Sequence, residues 1–154
     1  MSFEVSKYLG KTFIHGSVDC YGLVREFYKK EFDLDLTNYA RSDFWWNNGE
    51  NLYMENFKKE GFYLLNDSDE PQFGDLYLIA LNASVACHAA IYIGDNKILH
   101  HVINRLSAVD KYRGCWRNWT VARIRHISNK KEGKDRTQYD FGKKHSGKSD
   151  FNLF

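Results

Sequence analysis

The stretch Asp19-Cys20-Tyr21-Gly22-Leu23-Val24 decides the fold, because it predicts a helix that begins with a cysteine. Four apolar residues follow the cysteine at +3, +4, +7 and +8, one face of a 3.6-residue period: Leu23, Val24, Phe27 and Tyr28. A thiol in a first helical turn lies among unpaired backbone N–H groups at the positive end of the helix dipole. That environment favours the nucleophilic thiolate, although a small cysteine can also simply pack beneath a helix.

A second segment, residues 87–102, predicts a β-hairpin that carries three histidines. Two apolar runs rich in β-branched residues flank a turn signal at residues 94–97. A three-residue loop places His88 and His100 diagonally on one face, about 7–8 Å apart at the backbone. A four-residue loop shifts the parity and brings His101 to that face instead. The turn sequence is compatible with both registers.

Together these residues are the types that nucleophilic cysteine chemistry needs. Cys20 is the predicted nucleophile, His88 the general base, and His100 the group that fixes the His88 tautomer. A free thiol with a pKa of about 8.5 is mostly protonated at pH 7, and a neighbouring imidazolium draws it toward thiolate. The alternative is that these are ordinary histidines of a hairpin.

The motifs resemble those of the NlpC/P60 family of cell-wall peptidases. Residues 19–24 resemble its D-C-S-G-L-V signature, residues 88–94 its H-V-G-I-Y-I-G strand, and residues 71–76 its P-x-x-G-D-L block. The third polar residue of the family often follows the histidine by twelve positions, a spacing that His100 meets. The resemblance implies a papain-like α+β fold, in which N-terminal helices pack on an antiparallel β-sheet.

Within the family, the chain is similar to the tail-tip assembly peptidases of long-tailed phages. The similarity rests on Tyr21 after the cysteine, the His100-His101 doublet, and residues 105–107 and 112–117. It implies an endopeptidase that cuts peptidoglycan stem peptides, commonly between D-glutamate and the diamino acid, during DNA entry or tail assembly. A non-catalytic tail-tip assembly protein that keeps the fold is the alternative.

The same resemblance gives the expected partners and location. The partners are the peptidoglycan stem peptide and other tail-tip proteins, and the location is the virion tail tip or the host cytoplasm during assembly. Arg105, Arg113 and Arg117 are candidates for pairing with carboxylates of the stem.

One position departs from the family pattern. Many members carry a tyrosine upstream of the cysteine, whose hydroxyl reaches the thiol or the oxyanion, and Phe13 occupies the aligned position here. Tyr8, twelve residues before Cys20, is a candidate replacement. Losing an oxyanion donor costs on the order of 10²–10³ in rate.

Composition and charge divide the chain into two parts. Of 154 residues, 43% are hydrophobic and 16% aromatic, enough for one core, which we place in a domain at 1–127. Residues 128–154 hold seven Lys/Arg against four acidic residues, and we expect a disordered basic tail ending in an apolar segment at 151–154. We expect this C-terminal segment to dock on another protein of a phage tail tip rather than to bind nucleic acid.

Several classes of protein are not expected. No apolar run approaches the roughly 18 residues of a membrane span, and Met1-Ser2-Phe3-Glu4 begins no signal peptide, so neither membrane insertion nor Sec export is expected. Three cysteines argue against a disulfide framework. A zinc site built on Cys87 and the hairpin histidines would need ligands from both faces of a strand, so we expect no metal and no cofactor.

The remaining elements are predicted from shorter signals. Residues 50–60 suggest a helix with Gly61 as its C-cap, and residues 76–80 and 120–125 suggest strands. Three consecutive aromatics at 44–46 are either partly buried or form a wall of a peptide groove. Cys87 is expected to face the core.

Overall fold

An antiparallel sheet forms the centre of the structure, and the helix that carries Cys20 packs on it. The computed structural model describes residues 2–129. Its strands are β1 (Phe62–Leu64), β2 (Leu76–Ile79), β3 (His88–Tyr92), β4 (Lys97–His100), β5 (Ala108–Lys111) and β6 (Thr120–His126). Its helices are α1 (Cys20–Phe32), α2 (Leu52–Asn56) and α3 (Cys115–Asn118). The spatial order β1-β6-β2-β3-β4-β5, antiparallel throughout, confirms the predicted α+β architecture.

Apolar side chains cover both faces of the sheet. The predicted face of α1, Leu23, Val24, Phe27 and Tyr28, is buried in the larger cluster together with Leu78, Ala89, Ile91 and Leu99. Tyr77, Ile79, Ala90, Ile98 and Tyr112 form a second cluster from the alternate strand positions. Since successive strand residues point to opposite faces, β2 and β3 are buried on both sides. This explains why their sequences are apolar without alternation.

The start of α1 is fixed by a cap and by a close backbone approach. The Asp19 carboxylate accepts a hydrogen bond of 2.9 Å from the backbone N–H of Gly22, as an N-cap does. A Cβ at Gly22 would lie 2.2 Å from the carbonyl oxygen of Ser17. Glycine is therefore required two residues after Cys20, where the loop before the helix folds back on its first turn.

The hairpin adopts the three-residue loop. Ile91 pairs with Leu99, and the Lys97 N–H donates to the Gly94 carbonyl at 3.0 Å. Residues 94–96 all have positive φ, between 55° and 96°. This confirms the register that places His88 and His100 on one face.

The helix predicted at residues 50–60 is shorter than expected. It ends at Asn56, and the chain turns through residues 57–60 to Gly61, which has φ 92°. A Cβ at Gly61 would lie 2.6 Å from the His126 imidazole, so glycine fits where the chain turns into β1. The strands predicted at 76–80 and 120–125 are confirmed as β2 and β6.

The described domain continues slightly past residue 127. Asn129 is buried, and its side-chain amide donates to the Phe73 carbonyl at 2.8 Å. The rest of the predicted basic tail, 130–154, lies outside the described residues. None of the helices in residues 2–129 is both long enough and apolar enough to span a bilayer.

A buried ion pair joins the segment before β2 to β6. Arg125 donates to both oxygens of Asp75, at 2.7 and 2.9 Å, and the Asp75 side chain is fully buried. The aspartate of the P-x-x-G-D-L block thus has a structural role in this chain.

We expect Asp75→Asn to lower the free energy of unfolding by about 3–5 kcal/mol, because it leaves the Arg125 charge buried without a counterion. The measurement is urea unfolding followed by circular dichroism. Asp33→Asn is the matched control, since the Asp33–Lys29 pair is exposed and contributes less than about 1 kcal/mol. Equal losses for the two variants would contradict this account.

Candidate active site

Three buried side chains form a hydrogen-bonded chain from β3 to β5. His88 Nε2 lies 2.8 Å from His100 Nδ1, and His100 Nε2 lies 2.8 Å from an Asp110 carboxylate oxygen. The exposed fraction is 3% for His88, 2% for His100 and 6% for Asp110. Asp110 reaches His100 because it lies diagonally across the β4–β5 pair, where His100 is opposite Ala108.

This chain of hydrogen bonds fixes both imidazole tautomers. The Asp110 carboxylate can only accept, so His100 carries its proton on Nε2 and accepts at Nδ1. His88 must then donate from Nε2, which leaves its Nδ1 with a free lone pair. In this tautomer Nδ1 is the basic nitrogen of His88.

Cys20 lies against the strand segment that carries His88. Its Sγ is 4.0 Å from the Cys87 carbonyl oxygen, and both Cys20 and His88 line one cavity. The direct partner of the thiol is the Tyr53 hydroxyl, at 3.2 Å. The structure therefore brings Cys20, His88 and His100 to one place and adds a phenol beside the sulfur.

Burial keeps both the thiol and the imidazole neutral. It raises the pKa of Cys20 to about 11, and the neighbouring Asp19 carboxylate raises it further, while hydrogen bonds from Tyr53 and the Ala89 amide oppose the change. Burial also holds the pKa of His88 well below its usual value, with His100 acting in the same direction. The expectation that the helix dipole favours a thiolate is therefore wrong, because desolvation and Asp19 outweigh the dipole.

Tyr53, not Tyr8, supplies the hydroxyl beside the thiol. Tyr8 is fully buried, and its hydroxyl donates to Glu31 at 2.7 Å, so it does not replace the family tyrosine. Phe13 packs edge-on against His101, at 5.1 Å between ring centroids. A tyrosine 33 residues beyond Cys20 gives no spacing signal in the sequence.

Asp110 was not predicted as a site residue from the sequence, although a signal for it exists. Residues 108–111 form a short strand after the histidine doublet, and an acidic residue on a buried strand needs a partner. The loop between β4 and β5 hides the register, so the partner is not evident from the sequence.

The other candidate residues have different surroundings. His101 bonds the Arg105 carbonyl at 3.0 Å rather than joining the histidine chain. Cys87 is half-buried and lines the cavity, so the expectation that it faces the core is wrong. Across residues 2–129, no three His, Cys, Asp or Glu side chains are grouped to hold a metal ion.

The cavity beside Cys20 has a volume of about 550 Å³ and a largely aromatic wall. All three consecutive aromatics line it: Trp45 is buried, and Phe44 is 55% exposed. Asp19 and Arg41 contribute a mutually neutralised pair, at 3.0 Å. Arg105, Arg113 and Arg117, the arginines predicted to pair with carboxylates of the stem peptide, are not among the residues that line this cavity.

We expect alkylation of Cys20 by iodoacetamide to rise with pH to a midpoint near 11, because burial disfavours the thiolate below that pH. Tyr53→Phe should move the midpoint higher, since the phenol hydrogen bond lowers the pKa. Peptide mass spectrometry gives the rate at each pH, and the exposed Cys115 serves as an internal control. A Cys20 midpoint near pH 7 would instead indicate a preformed thiolate–imidazolium pair.

Comparison with known proteins identifies the family. The NlpC/P60 family model matches residues 8–125. Tail tip assembly protein K of Escherichia phage lambda is 39% identical over 117 residues, which cover 76% of this chain and 58% of that protein. Tail tip assembly protein K of Escherichia phage N15 is 31% identical over 121 residues, which cover 77% of this chain and 49% of that protein. The chain thus spans about half the length of these curated relatives.

A solved structure supports the same assignment of fold. The crystal structure of an NLP/P60-family protein similar to lipoprotein, from Staphylococcus aureus subsp. aureus Mu50, matches with a TM-score of 0.54 and 18% identity. The match covers 82% of this chain and 43% of that one, and it shows a shared fold. With the family model spanning most of the described domain, the chain belongs to the NlpC/P60 family.

Proposed function

We propose that this chain is a cysteine endopeptidase of a phage tail tip that cuts peptidoglycan stem peptides, at the bond between D-glutamate and the diamino acid. The observation that carries the proposal is the hydrogen-bonded chain His88–His100–Asp110, which leaves Nδ1 of His88 unprotonated on a residue that lines the same cavity as Cys20. Membership of a peptidase family supports the chemistry, and the names of the phage relatives support the tail-tip location.

In the proposed reaction, His88 acts as a general base and then as a general acid. Its Nδ1 takes the thiol proton as Cys20 Sγ attacks the carbonyl carbon of the scissile bond. The imidazolium then protonates the leaving amine, and a thioester to Cys20 remains. A water molecule, deprotonated by His88, hydrolyses that thioester and restores the neutral thiol and imidazole.

Two hydrogen-bond donors near Cys20 are candidates for stabilising the oxyanion. The Tyr53 hydroxyl is 3.2 Å from Sγ, close to any carbonyl that the sulfur attacks. The backbone N–H of Cys20 belongs to the first turn of α1, where N–H groups lack intrahelical partners. In the proposed reaction, hydrogen bonds from these two donors stabilise the negative oxygen.

We expect the wild-type protein to release stem-peptide fragments from purified diaminopimelate-type peptidoglycan and Cys20→Ala to release none, because the nucleophile is lost. Mass spectrometry of the soluble products names the bond. Cys115→Ala, which changes an exposed cysteine, is the matched control and should keep full activity. Equal release by wild type and Cys20→Ala would refute the proposal.

Asp110→Asn should lower kcat by about 10²–10⁴ with little change in KM, because the amide no longer fixes the imidazole tautomers or offsets the charge on His88. The rates are measured with a synthetic stem peptide. Asp43→Asn, an exposed change near the cavity, controls for loss of surface charge. An unaltered kcat in Asp110→Asn would remove Asp110 from the mechanism.

A non-catalytic tail-tip assembly protein is the second candidate. The neutral state of the Cys20 thiol favours it, and so do the relatives' names, which mention assembly and no hydrolysis. In this case other tail proteins are the partners, and the cavity is an interaction surface. Tail assembly supported equally by wild type and Cys20→Ala, with no peptidoglycan cleavage by either, would establish it.

A further inference from the structure

A second cavity adjoins the candidate active site and has a different chemistry. Its volume is about 440 Å³, and Asn82 and Trp119 line both it and the cavity beside Cys20. The side chains that line only the second cavity are Ala80, Ala83, Asn118, Thr120 and Val121. No charged side chain in the described range lines it, so it is suited to an uncharged ligand.

Trp119 is an exposed aromatic residue among those that line this cavity. The residue is 44% exposed, and its neighbour Val121 is 53% exposed. Its backbone is held on both sides: its N–H donates to Cys115 at 2.9 Å, and its carbonyl accepts from Ala80 at 2.9 Å. An indole carried on a hydrogen-bonded backbone offers a flat apolar face to a ligand.

Amide groups accompany the indole. Asn82 and Asn118 are both exposed, and a primary amide offers two donor hydrogens and an acceptor oxygen. Hydroxyl and acetamido groups have the same mixed hydrogen-bonding capacity. A flat apolar face beside uncharged amides is complementary to a pyranose ring, which has an apolar C–H face and polar substituents at its edge.

We infer that this cavity binds an N-acetylated sugar ring of the glycan strand from which the stem peptide extends. The inference rests on the proposed function, because the stem peptide is joined to the glycan through an amide that leaves the sugar uncharged. Because Asn82 and Trp119 line both cavities, the two are adjacent, and the proposal places the stem peptide in one and the sugar in the other. The glycan-attached peptide is then the preferred substrate over the free peptide.

The first test uses an uncharged sugar without a peptide. N,N′-diacetylchitobiose is titrated into ¹⁵N-labelled Cys20→Ala protein, and the indole N–H resonances of the four tryptophans are followed. Trp119→Phe assigns the Trp119 resonance. We expect a saturable shift at Trp119 and about 5-fold weaker binding in Asn118→Ala. No shift, or a shift confined to Trp45 and Trp46, would overturn the inference.

The second test compares two substrates of the wild-type protein, a disaccharide-linked stem peptide and the same peptide without sugar. Trp119→Ala should reduce the ratio of their kcat/KM values about 5- to 10-fold. Leu64→Ala, an exposed apolar change on β1, should leave that ratio unchanged. An unchanged ratio in Trp119→Ala would reject the sugar site.

The two tests separate this inference from the proposed function. Sugar binding at Trp119 without cleavage of either substrate would retain the sugar site and reject the peptidase. Cleavage of both substrates at equal kcat/KM, with no shift at Trp119, would retain the peptidase and reject the sugar site.

Discussion

The buried ion pair between Asp19 and Arg41 is the interaction on which the candidate site depends. The Asp19 carboxylate accepts from Arg41 at 3.0 Å and from the backbone N–H groups of Gly16 and Gly22 at 2.9 Å each. The guanidinium also donates to the carbonyls of Gly16 and Tyr39. One carboxylate therefore caps α1, closes the loop before it and holds the segment that leads to the aromatic wall. Because both side chains are only 5% exposed, loss of either partner would leave a charge buried alone.

The position of this ion pair also governs the chemistry of the thiol. Asp19 precedes Cys20 directly, and its charge raises the pKa of the thiol in addition to the effect of burial. The helix dipole acts in the opposite direction, but its influence is confined to the first turn and is offset by the capping carboxylate. The arrangement that positions Cys20 thus also keeps it protonated. In the proposed reaction, nucleophilic attack therefore requires proton transfer to His88 during the reaction rather than a thiolate formed beforehand.

The sequence was informative where local rules determine the structure. The period of α1 and the turn after β3 each depend on neighbouring residues, and each was predicted correctly. The sequence left two histidine registers open, and the structure selects the one with the three-residue loop, since a strand alternates its faces with a period of two. Local rules failed for the state of the thiol, which depends on desolvation by residues distant in sequence.

The contacts of Tyr53 and Asp110 likewise depend on residues distant in sequence. Tyr53 reaches Cys20 from α2, after a long loop in which Arg41 pairs with Asp19 and Tyr39 donates a hydrogen bond to Glu60. Asp110 reaches His100 only because β5 pairs with β4 in one particular register. Neither contact has a characteristic spacing, so their prediction requires the tertiary structure.

A neutral histidine in the third position makes Asp110 necessary to the proposed chemistry. His100 can orient His88, but as a neutral ring it provides no negative charge to balance an imidazolium. Asp110 provides that charge one hydrogen bond further away, in a buried setting where electrostatic interactions are strong. Trp116 from α3 packs edge-on against His100, at 4.7 Å between centroids, and covers His88 at 6.1 Å. Since Trp119 follows α3 directly and lines both cavities, one short helix shields the histidine chain and carries the indole of the proposed sugar site.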